Sequence, residues 1–406
     1  MKILMLSDDF PPENSGGAGR AAFRLAAALQ ALGHSIFVIT SAQEREKEGN
    51  ADYQGMKIFK IYSNYHTRWR AYLGLYNPRT VGKVKRIMEE INPDIVHAHN
   101  IHYHLSYHCL KTAKEQNRAV FLTAHDTMLF SYGKFLAKEP DNYKLTNWDL
   151  IKQARKRYNP FRNIFIRHYL KYVDKIFAVS SGLLQALNEN KIGNADVIYN
   201  GVDVKNWQLS CELVEEFKKK HNLQDKKIIF FGGRLSYQKG GQIAMQILAD
   251  IIKELPQAVL LVAGGKHKFA GTMEELAAKT EGIVFTGWLE GDELKAAYNS
   301  ADLVLVPSLY FDCIPIIMIE AMACRKPVVA SRLANASEVV GNEETGCIIN
   351  PFDIDNAAEK IISLLKNPEK AKHFGQAGYE RVQKFFSLDA QVAQTLSYYQ
   401  KFSLDR

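Results

Sequence analysis

The chain has 406 residues, of which 47% are apolar and 24% are charged. This length and composition allow two globular domains with sizeable cores. The five cysteines are scattered without CxxC spacing, which excludes a disulfide framework and a thiolate zinc site. The N-terminal apolar run is too short for a signal peptide, and no stretch approaches the roughly 20 apolar residues of a membrane span, so we expect a cytoplasmic protein.

Charge is distributed unevenly along the chain. Residues 1–200 hold 28 Lys and Arg against 18 Asp and Glu, a formal charge of +10. The remainder holds 24 against 26, a formal charge of −2. The basic half is therefore predicted to face an anionic partner.

Two successive sets of apolar runs alternate with helical patterns and predict two parallel, doubly wound sheets. The first set of runs is 2–6, 36–40, 57–62, 95–99, 120–124 and 176–180. The second begins at Lys227 and continues through 259–263, 283–286, 303–306, 328–330 and 347–349. The Asn200-Gly201 turn signal lies between the sets, and it predicts domains 1–200 and 201–387, followed by a final helical segment, 388–403.

A glycine-rich segment, Ser15-Gly-Gly-Ala-Gly19, follows the first predicted strand and opens a helix. Gly16 and Gly17 allow a ligand to approach the backbone at a helix N-terminus. A dinucleotide fingerprint needs an acid after the second strand, where the chain has Thr40-Ser41-Ala42, so we discount a nicotinamide or flavin cofactor. A purely structural tight turn remains the alternative.

Arg234 and Lys239 follow the first strand of the second set, in a loop with Gly232, Gly233 and Gly240. Two cations in a glycine-rich loop are typical of a site that binds a diphosphate. A solvated charged loop is the alternative.

Asp312 and Glu320 lie eight residues apart, across a turn and the start of a helix. Pro315 precedes Ile316 and Ile317, whose N–H groups begin that helix and favour a phosphate group. The two acids could instead be an ordinary loop residue and a first-turn helix acid favoured by the helix dipole.

His125 ends a predicted strand at the carboxyl edge of the first sheet, where open α/β sheets bind ligands. A hydrogen-bonded edge residue is the alternative. Nearby, His97 and His99 would share one strand face, which leaves a metal site as an alternative. No Asp or Glu lies among the surrounding histidines, which argues against that alternative.

These motifs resemble those of the family-4 retaining glycosyltransferases, and the resemblance covers nearly the whole chain. The segments that carry it, in order, are 10–17, His125-Asp126, 198–203, Gly232-Gly-Arg234-Leu, Gln238-Lys239-Gly240 and the acids Asp312 and Glu320, which match the Glu-x7-Glu pair. The resemblance implies two Rossmann-like domains facing across a cleft, the GT-B architecture. Segment 388–403 would pack back on the first domain.

The resemblance also implies a reaction: a hexose passes from a nucleoside-diphosphate sugar, held by the second domain, to a hydroxyl acceptor on the first domain. Configuration at the anomeric carbon would be retained, and neither a metal nor another cofactor is expected. The acceptor would be a saccharide or lipid-linked saccharide in polysaccharide or glycoconjugate biosynthesis.

Individual roles follow from the same resemblance. Arg234 and Lys239, with the N–H groups of Ile316 and Ile317, would bind the diphosphate. Glu320 would hold the ribose of the nucleotide.

The sugar of the donor would be contacted by Asp312 and His125, with His125 orienting the attack. Gly16 and Gly17 would line the site near the donor phosphate and the acceptor. The strand end after His99 would border the acceptor pocket, with Asn100 and His102 reaching into it.

Three departures from the family pattern keep alternatives open. Asp312 replaces the usual Glu, Pro315 stands where Gly is common, and Arg325 replaces a frequent Gly. They support a non-catalytic nucleotide-sugar-binding or assembly protein of this fold. A GT-B nucleotide-sugar epimerase is the other alternative, which the glycine-rich acceptor loop opposes.

Residues 155–172 combine basic side chains with apolar ones at helical spacing, namely Phe161, Ile164, Phe165, His168 and Tyr172. Such a segment favours peripheral contact with an anionic membrane, here the inner face. A helix that packs these apolar residues into the core is the alternative. Nucleic acid is not expected, because no known reader motif is present.

Overall fold

A computed structural model describes residues 1–13, 16–133, 142–233, 235–264 and 280–404. The chain divides into two compact units. The first unit runs from the N-terminus to Gly201 and resumes at Leu388, and the second takes in Val202–Ser387.

Within the described residues, the first unit contains an eight-stranded sheet. Its strands are β1 (Lys2–Leu6), β2 (Ser35–Ala42), β3 (Gly49–Tyr53), β4 (Met56–Tyr62), β5 (Ile95–Ala98), β6 (Ala119–Ala124), β7 (Lys175–Ala178) and β8 (Ala195–Val197). They lie in the order β3-β4-β2-β1-β5-β6-β7-β8. Neighbours are parallel except for the antiparallel hairpin of β3 and β4.

The sequence analysis missed β3 and β8. Segment 49–53 has few β-branched or apolar residues, and its strand is largely exposed, so no apolar run marks it. In the structure, Gln54 and Gly55 of the hairpin turn both have positive φ (50° and 79°), as a type I′ turn requires. The sequence analysis did not predict this turn.

The helices of the first unit cover both faces of this sheet, as its parallel connections require. They are α1 (Gly17–Ala31), α2 (Arg70–Leu73), α3 (Val81–Ile91), α4 (His108–Glu115), α5 (Asn147–Ala154), α6 (Arg162–Leu170) and α7 (Ser181–Glu189). Local sequence determines where several of these helices begin. Thr146 and Asp149 form a capping box at α5, and the Ser180 hydroxyl accepts the Leu183 N–H at α7.

The described part of the second unit contains a six-stranded, wholly parallel sheet with the order β11-β10-β9-β12-β13-β14. Its strands are β9 (Lys227–Gly232), β10 (Ala258–Ala263), β11 (Ile283–Phe285), β12 (Leu303–Val306), β13 (Val328–Ser331) and β14 (Gly346–Ile349). All six were predicted from their apolar runs, which are readable because strands covered on both faces are apolar throughout.

The helices of the second unit are α8 (Cys211–Lys220), α9 (Gly241–Glu254), α10 (Gly291–Ser300), α11 (Ile316–Ala323), α12 (Ile354–Lys366) and α13 (Pro368–Phe385). A last helix, α14 (Leu388–Leu404), belongs to the first unit. There Tyr399 is fully buried, with its ring 5.0 Å from that of Phe121 on β6. Among the described helices, none is long and apolar enough to span a membrane.

The face that α6 buries is not the one that the core-packing alternative predicted for residues 155–172. The helix buries Arg162, Ile166 and Tyr169. Phe161 and Ile164 are instead 60% and 56% exposed. The spacing of the apolar residues was therefore a poor guide to the buried face.

Strand order sets where ligands can bind. In the first sheet β1 lies between β2 and β5, and in the second β9 lies between β10 and β12, so the connections turn in opposite directions on either side of β1 and of β9. Such switch points open a crevice at the carboxyl ends of the two central strands. The loops after β1 and β5, and after β9 and β12, are thus the natural positions for a site in each unit.

Candidate active site

In the second unit, the loops after β9 and β12 are held firmly against each other. Gly240 adopts φ +74°, and a Cβ atom at this position would lie 1.9 Å from the carbonyl oxygen of Pro307. The Leu309 N–H donates to the Gln238 carbonyl at 2.9 Å. Gly240 is therefore required both by its left-handed conformation and by the close approach of the two backbones.

Lys239 and Asp312 meet where these loops touch. The Lys239 Nζ lies 2.9 Å from Asp312 Oδ2, and the Tyr310 hydroxyl donates to the same oxygen at 2.8 Å. Burial alone would lower the pKa of Lys239, but the Asp312 carboxylate and Tyr310 raise it above its ordinary value. The lysine is thus a permanent cation beside a carboxylate, in the half-buried loop where a diphosphate site was predicted.

The start of α11 lies beside this pair. Pro315 precedes the helix, and Ile316 and Ile317 are its first two residues. Helix geometry gives their N–H groups no partner inside the helix. A Cβ at Gly232 would lie 2.4 Å from Ile317 Cδ1, so the glycine allows the end of β9 to approach the helix start. The predicted phosphate-binding elements are therefore adjacent.

Glu320 is 5% exposed, and its Oε2 accepts a hydrogen bond from the Tyr298 hydroxyl at 2.8 Å. Tyr298 is held in turn by edge contacts with the rings of Trp207 and Phe230. The first turn of α11 contains no acidic residue, so the alternative of a first-turn helix acid is wrong. Glu320 is instead a buried carboxylate whose orientation is fixed by a tyrosine.

Arg234, the other predicted cation, lies outside the described residues. Arg325, which stands where the family often has Gly, has φ +55°. Its guanidinium bonds to Gln208 at 2.7 Å and Gln376 at 3.2 Å, and lies 4.0 Å from the ring centre of Tyr379. These contacts offset the cost of a left-handed non-glycine residue.

In the first unit, three histidines line up from the sheet interior to its carboxyl edge. His97 contacts Tyr399 Oη through Nδ1 at 2.6 Å and Thr123 Oγ1 through Nε2 at 2.8 Å. The ring centres of His97 and His99 are 4.4 Å apart, and His99 Nδ1 lies 2.9 Å from His125 Nε2. His125 thus occupies the outer end of a hydrogen-bonded and stacked series.

Burial keeps these rings neutral. It lowers the pKa of His97 to about 3 and that of His125 to about 4, and holds the pKa of His99 well below its ordinary value. Because His125 Nε2 is engaged by His99, Nδ1 is the ring nitrogen through which His125 can reach a ligand.

His97 is poorly placed to bind a metal ion, because Thr123 and Tyr399 engage both of its ring nitrogens. Over the described ranges, no group of three or more His, Cys, Asp or Glu side chains is placed to hold a metal ion.

Asp8 directly follows β1 and was not predicted as a functional residue. Its carboxylate accepts the backbone N–H groups of Tyr103 at 2.6 Å, Leu105 at 2.8 Å and His104 at 2.9 Å. Burial raises the pKa of Asp8 to about 7 in spite of these three bonds. Asp8 therefore fixes the loop after β5 against the end of β1, at the switch point of the first sheet.

Asn100 and His102 lie in that fixed loop and line a small cavity together with Asp126. The Asn100 amide donates to Asp126 Oδ2 at 3.2 Å. Burial lowers the pKa of His102 well below its ordinary value, and the charges of Arg70 and Arg162 act in the same direction. The two residues expected to border an acceptor pocket do line a cavity.

Gly16 and Gly17 lie at the exposed start of α1. Gly16 has φ −71°, neither glycine has positive φ, and a Cβ at either position would meet nothing within 4 Å. The backbone therefore does not need glycine here for a tight turn or for packing, and both glycines are exposed at the helix start.

Sequence reasoning missed Tyr310, Tyr298, Asp8 and Tyr399. Asp8 carried a usable signal, because an acid directly after the first strand falls at a probable switch point. The tyrosines carried none, since Tyr399 lies 302 residues from His97 along the chain.

Comparison with known proteins gives two family matches. Residues 15–206 match the family model described as Glycosyltransferase Family 4, and residues 214–381 match the model described as Glycosyl transferases group 1. Together they cover the greater part of both units.

A curated relative, an uncharacterized glycosyltransferase of Methanocaldococcus jannaschii, is 24% identical over 98% of both chains. Sucrose-phosphate synthase from Thermosynechococcus elongatus has a TM-score of 0.78 at 21% identity, covering 100% of each chain. Anabaena HepE in complex with UDP-glucose has a TM-score of 0.73 at 19% identity, covering 98% of this chain and 100% of its own. These likenesses confirm the predicted pair of parallel-sheet α/β domains.

Proposed function

This chain belongs to the family-4 glycosyltransferases, and we propose that it moves a hexose from a nucleoside-diphosphate sugar to a saccharide or lipid-linked saccharide, with retention at the anomeric carbon. The observation that carries the proposal is the position of the Lys239–Asp312 pair beside the start of α11, at the switch point of the second sheet. The structure of HepE with UDP-glucose supports the class of donor.

In this reaction the bond from the anomeric carbon to the diphosphate breaks, and an acceptor hydroxyl attacks from the same face. The acceptor proton passes to the departing diphosphate. Negative charge grows on the diphosphate as the bond breaks, so Lys239 and the N–H groups of Ile316 and Ile317 would act mainly in the transition state. Arg234 is proposed as a second cation of the same kind.

Asp312 would contact hydroxyl groups of the donor sugar. Its carboxylate shares one oxygen with Lys239 and Tyr310, and a diphosphate bound at Lys239 would compete for the ammonium group. Glu320, oriented by Tyr298, would hold the ribose. His125 would orient the sugar through Nδ1, as a neutral ring that can donate or accept a hydrogen bond.

We propose that the reaction needs no metal ion, because Lys239 and Arg234 can supply the charge on the diphosphate that a divalent ion would otherwise supply. Activity should then survive treatment with EDTA. Complete loss, restored by manganese or magnesium, would contradict this part of the proposal.

A donor panel tests the proposed function. The purified chain is incubated with UDP-, GDP- and ADP-sugars, first for thermal stabilisation and then for release of the nucleoside diphosphate, with product configuration read by NMR. We expect one donor to stabilise the protein and to be turned over. Nucleotide binding without sugar release would favour the non-catalytic alternative, and an epimerised donor sugar would favour the epimerase.

The acceptor is proposed to lie near an anionic membrane surface. Ile164 and Phe165 on α6 are exposed, as are Phe161 just before the helix and the nearby basic residues Arg155 and Lys156. Each basic group near such a surface contributes about 1 kcal/mol, so three or four suffice for weak, salt-sensitive attachment.

Co-sedimentation with anionic and neutral liposomes, at low and high salt, tests this attachment. Phe165→Ser should weaken binding to anionic liposomes at low salt. Equal binding to both kinds of liposome, or none at low salt, would contradict the membrane attachment and favour a soluble acceptor.

A further inference from the structure

A small cavity lies in the first unit, next to the pocket lined by Asn100. Four segments of the chain form its walls, and they contribute Arg70, His102, Tyr107, Tyr132, Arg157 and Arg162. Three of these side chains are arginines.

The walls are joined to one another by hydrogen bonds. The Tyr107 N–H donates to the Gly74 carbonyl at 2.9 Å, and the Asn159 amide donates to the Ala71 carbonyl at 3.0 Å. The Tyr132 hydroxyl donates to the Asn159 carbonyl at 2.8 Å. The cavity is therefore a built feature, with its positive groups held in place.

Arg162 is the most unusual of these groups, because it is only 5% exposed. It donates to the Met128 carbonyl and to Asn163 Oδ1, and it lies 4.8 Å from the ring centre of Tyr132. Asp126 acts on it only at longer range.

In the part of the chain that the structure describes, none of the three guanidinium groups has a carboxylate oxygen within 4 Å. Arg162 is buried, and a buried charge is costly unless it is paired. Arg70 and Arg157 are half-buried beside it, so an anion in the cavity would offset an excess of positive charge.

Two polar atoms at the cavity also favour an anion bound there. Tyr107 is 2% exposed, and within the described residues its hydroxyl has no hydrogen-bond partner, nor does Arg70 Nε. A buried donor without a partner costs about 1–3 kcal/mol. Both groups line the cavity, and an anion placed there would satisfy them.

We propose that this cavity binds a phosphate group carried by the acceptor, an inference that rests on the proposed sugar transfer. A phosphate monoester carries a charge of about −1.5 to −2 and has three terminal oxygens, which suits three guanidinium groups better than a single carboxylate does. His102, neutral beside Arg70 and Arg162, and the Tyr107 hydroxyl add uncharged hydrogen-bonding groups. The sugar transferred by the enzyme would therefore be added to a phosphorylated acceptor.

Inorganic phosphate is the first probe. The apparent Kd is taken from the rise in Tm with phosphate at constant ionic strength, in a Lys239→Gln background that weakens the phosphate site expected in the second unit. Arg70→Gln and Arg157→Gln should each raise the Kd about tenfold, because each removes one charge-assisted contact. Lys156→Gln is the matched control, since it removes an exposed positive charge next to Arg157 and should leave the Kd unchanged.

A second pair of probes separates the two sources of such a phosphate. Glycerol 3-phosphate presents it in solution, and phosphatidylcholine vesicles containing phosphatidic acid present it at a membrane. Loss of affinity in Arg157→Gln beyond that in Lys156→Gln, for either probe, supports the cavity and identifies its source. Equal responses of parent, arginine variants and control to all three probes, or no response in the parent, would overturn the proposal.

These measurements require no turnover, so they remain valid if no nucleotide sugar is a donor. Nucleotide affinity is measured on Arg70→Gln and Arg157→Gln with Lys239 intact, and it should be unchanged. Failure of the donor panel would thus remove the proposed function, while failure of the phosphate titration would remove only the cavity.

Discussion

The two units place their candidate residues at equivalent points of similar sheets, yet they use different chemistry. In the first unit the switch point between β1 and β5 holds buried, neutral imidazoles and a carboxyl group with a raised pKa. In the second, the switch point between β9 and β12 holds a charged pair, Lys239 and Asp312. Topology therefore determines where a site lies, and the loop residues determine what it can do.

The largest effect should come from breaking the charged pair. Lys239→Ala should lower turnover on the order of 10²–10³-fold, as removal of a transition-state donor does, with a smaller effect on nucleotide affinity. Turnover and affinity are measured together by steady-state kinetics and nucleotide titration. Lys253→Ala, which removes an exposed lysine paired with Asp250 at 2.6 Å, should be neutral. Full turnover in Lys239→Ala would exclude the lysine from the mechanism.

Glycine substitutions test whether the loop after β9, which contains Gly240, is more tightly constrained than the start of α1 at Gly16. Gly240→Ala forces a Cβ against the Pro307 carbonyl at positive φ and should destabilise the second unit by about 3 kcal/mol or more. Gly16→Ala, at φ −71° with open space around it, should change the free energy of unfolding by less than about 0.5 kcal/mol. Denaturant unfolding measures both, and similar costs would contradict the contrast.

Acid should destabilise the first unit selectively. The pKa values of His97, His99, His102, His104 and His125 are all lowered by burial from an ordinary value near 6.5. Their stabilising contribution is present above pH 6.5 and is lost as the pH falls below 6.5 toward the lowered pKa values, because in that range only the unfolded chain binds these protons. Asp8, Asp9 and Asp126, with raised pKa values, act in the opposite direction.

The five histidines outnumber these three carboxyl groups, so we expect a net loss on the order of 1–3 kcal/mol per pH unit between pH 6 and pH 4. In the second unit, burial and the nearby Lys220 charge lower the pKa of His221. Hydrogen exchange read by mass spectrometry follows peptides of each unit separately. Parallel loss of protection in both units would show that the histidines of the first unit do not control its stability.

The sequence predicted the sheets better than it predicted the surroundings of the site. Apolar runs revealed the buried parallel strands, but the polar edge strand β3 and the short β8 had no such signature. Lys239 and Asp312 were found from local patterns, and the structure brings them together. The Tyr399–His97 contact and the arginine cavity depend on packing between distant segments, which no local pattern encodes.

A small effect is also expected at Arg325, the departure from the family pattern that the structure explains best. Arg325→Gly removes the cost of a left-handed arginine, about 1–2 kcal/mol, but also removes the contacts with Gln208, Gln376 and Tyr379 and increases the flexibility of the unfolded chain. These terms oppose each other, so the free energy of unfolding should change by less than about 1 kcal/mol.

Arg325→Ala keeps the backbone cost and loses the same contacts, so it should be the less stable variant by about 1 kcal/mol. Denaturant unfolding ranks the two variants, and both should keep wild-type turnover because Arg325 supports the end of α11 and does not line the candidate site. If Arg325→Gly were more stable than the parent by over about 1 kcal/mol, the arginine contacts would be shown to contribute little. If either variant lost turnover, Arg325 would belong with the second-unit site and not with its structural support.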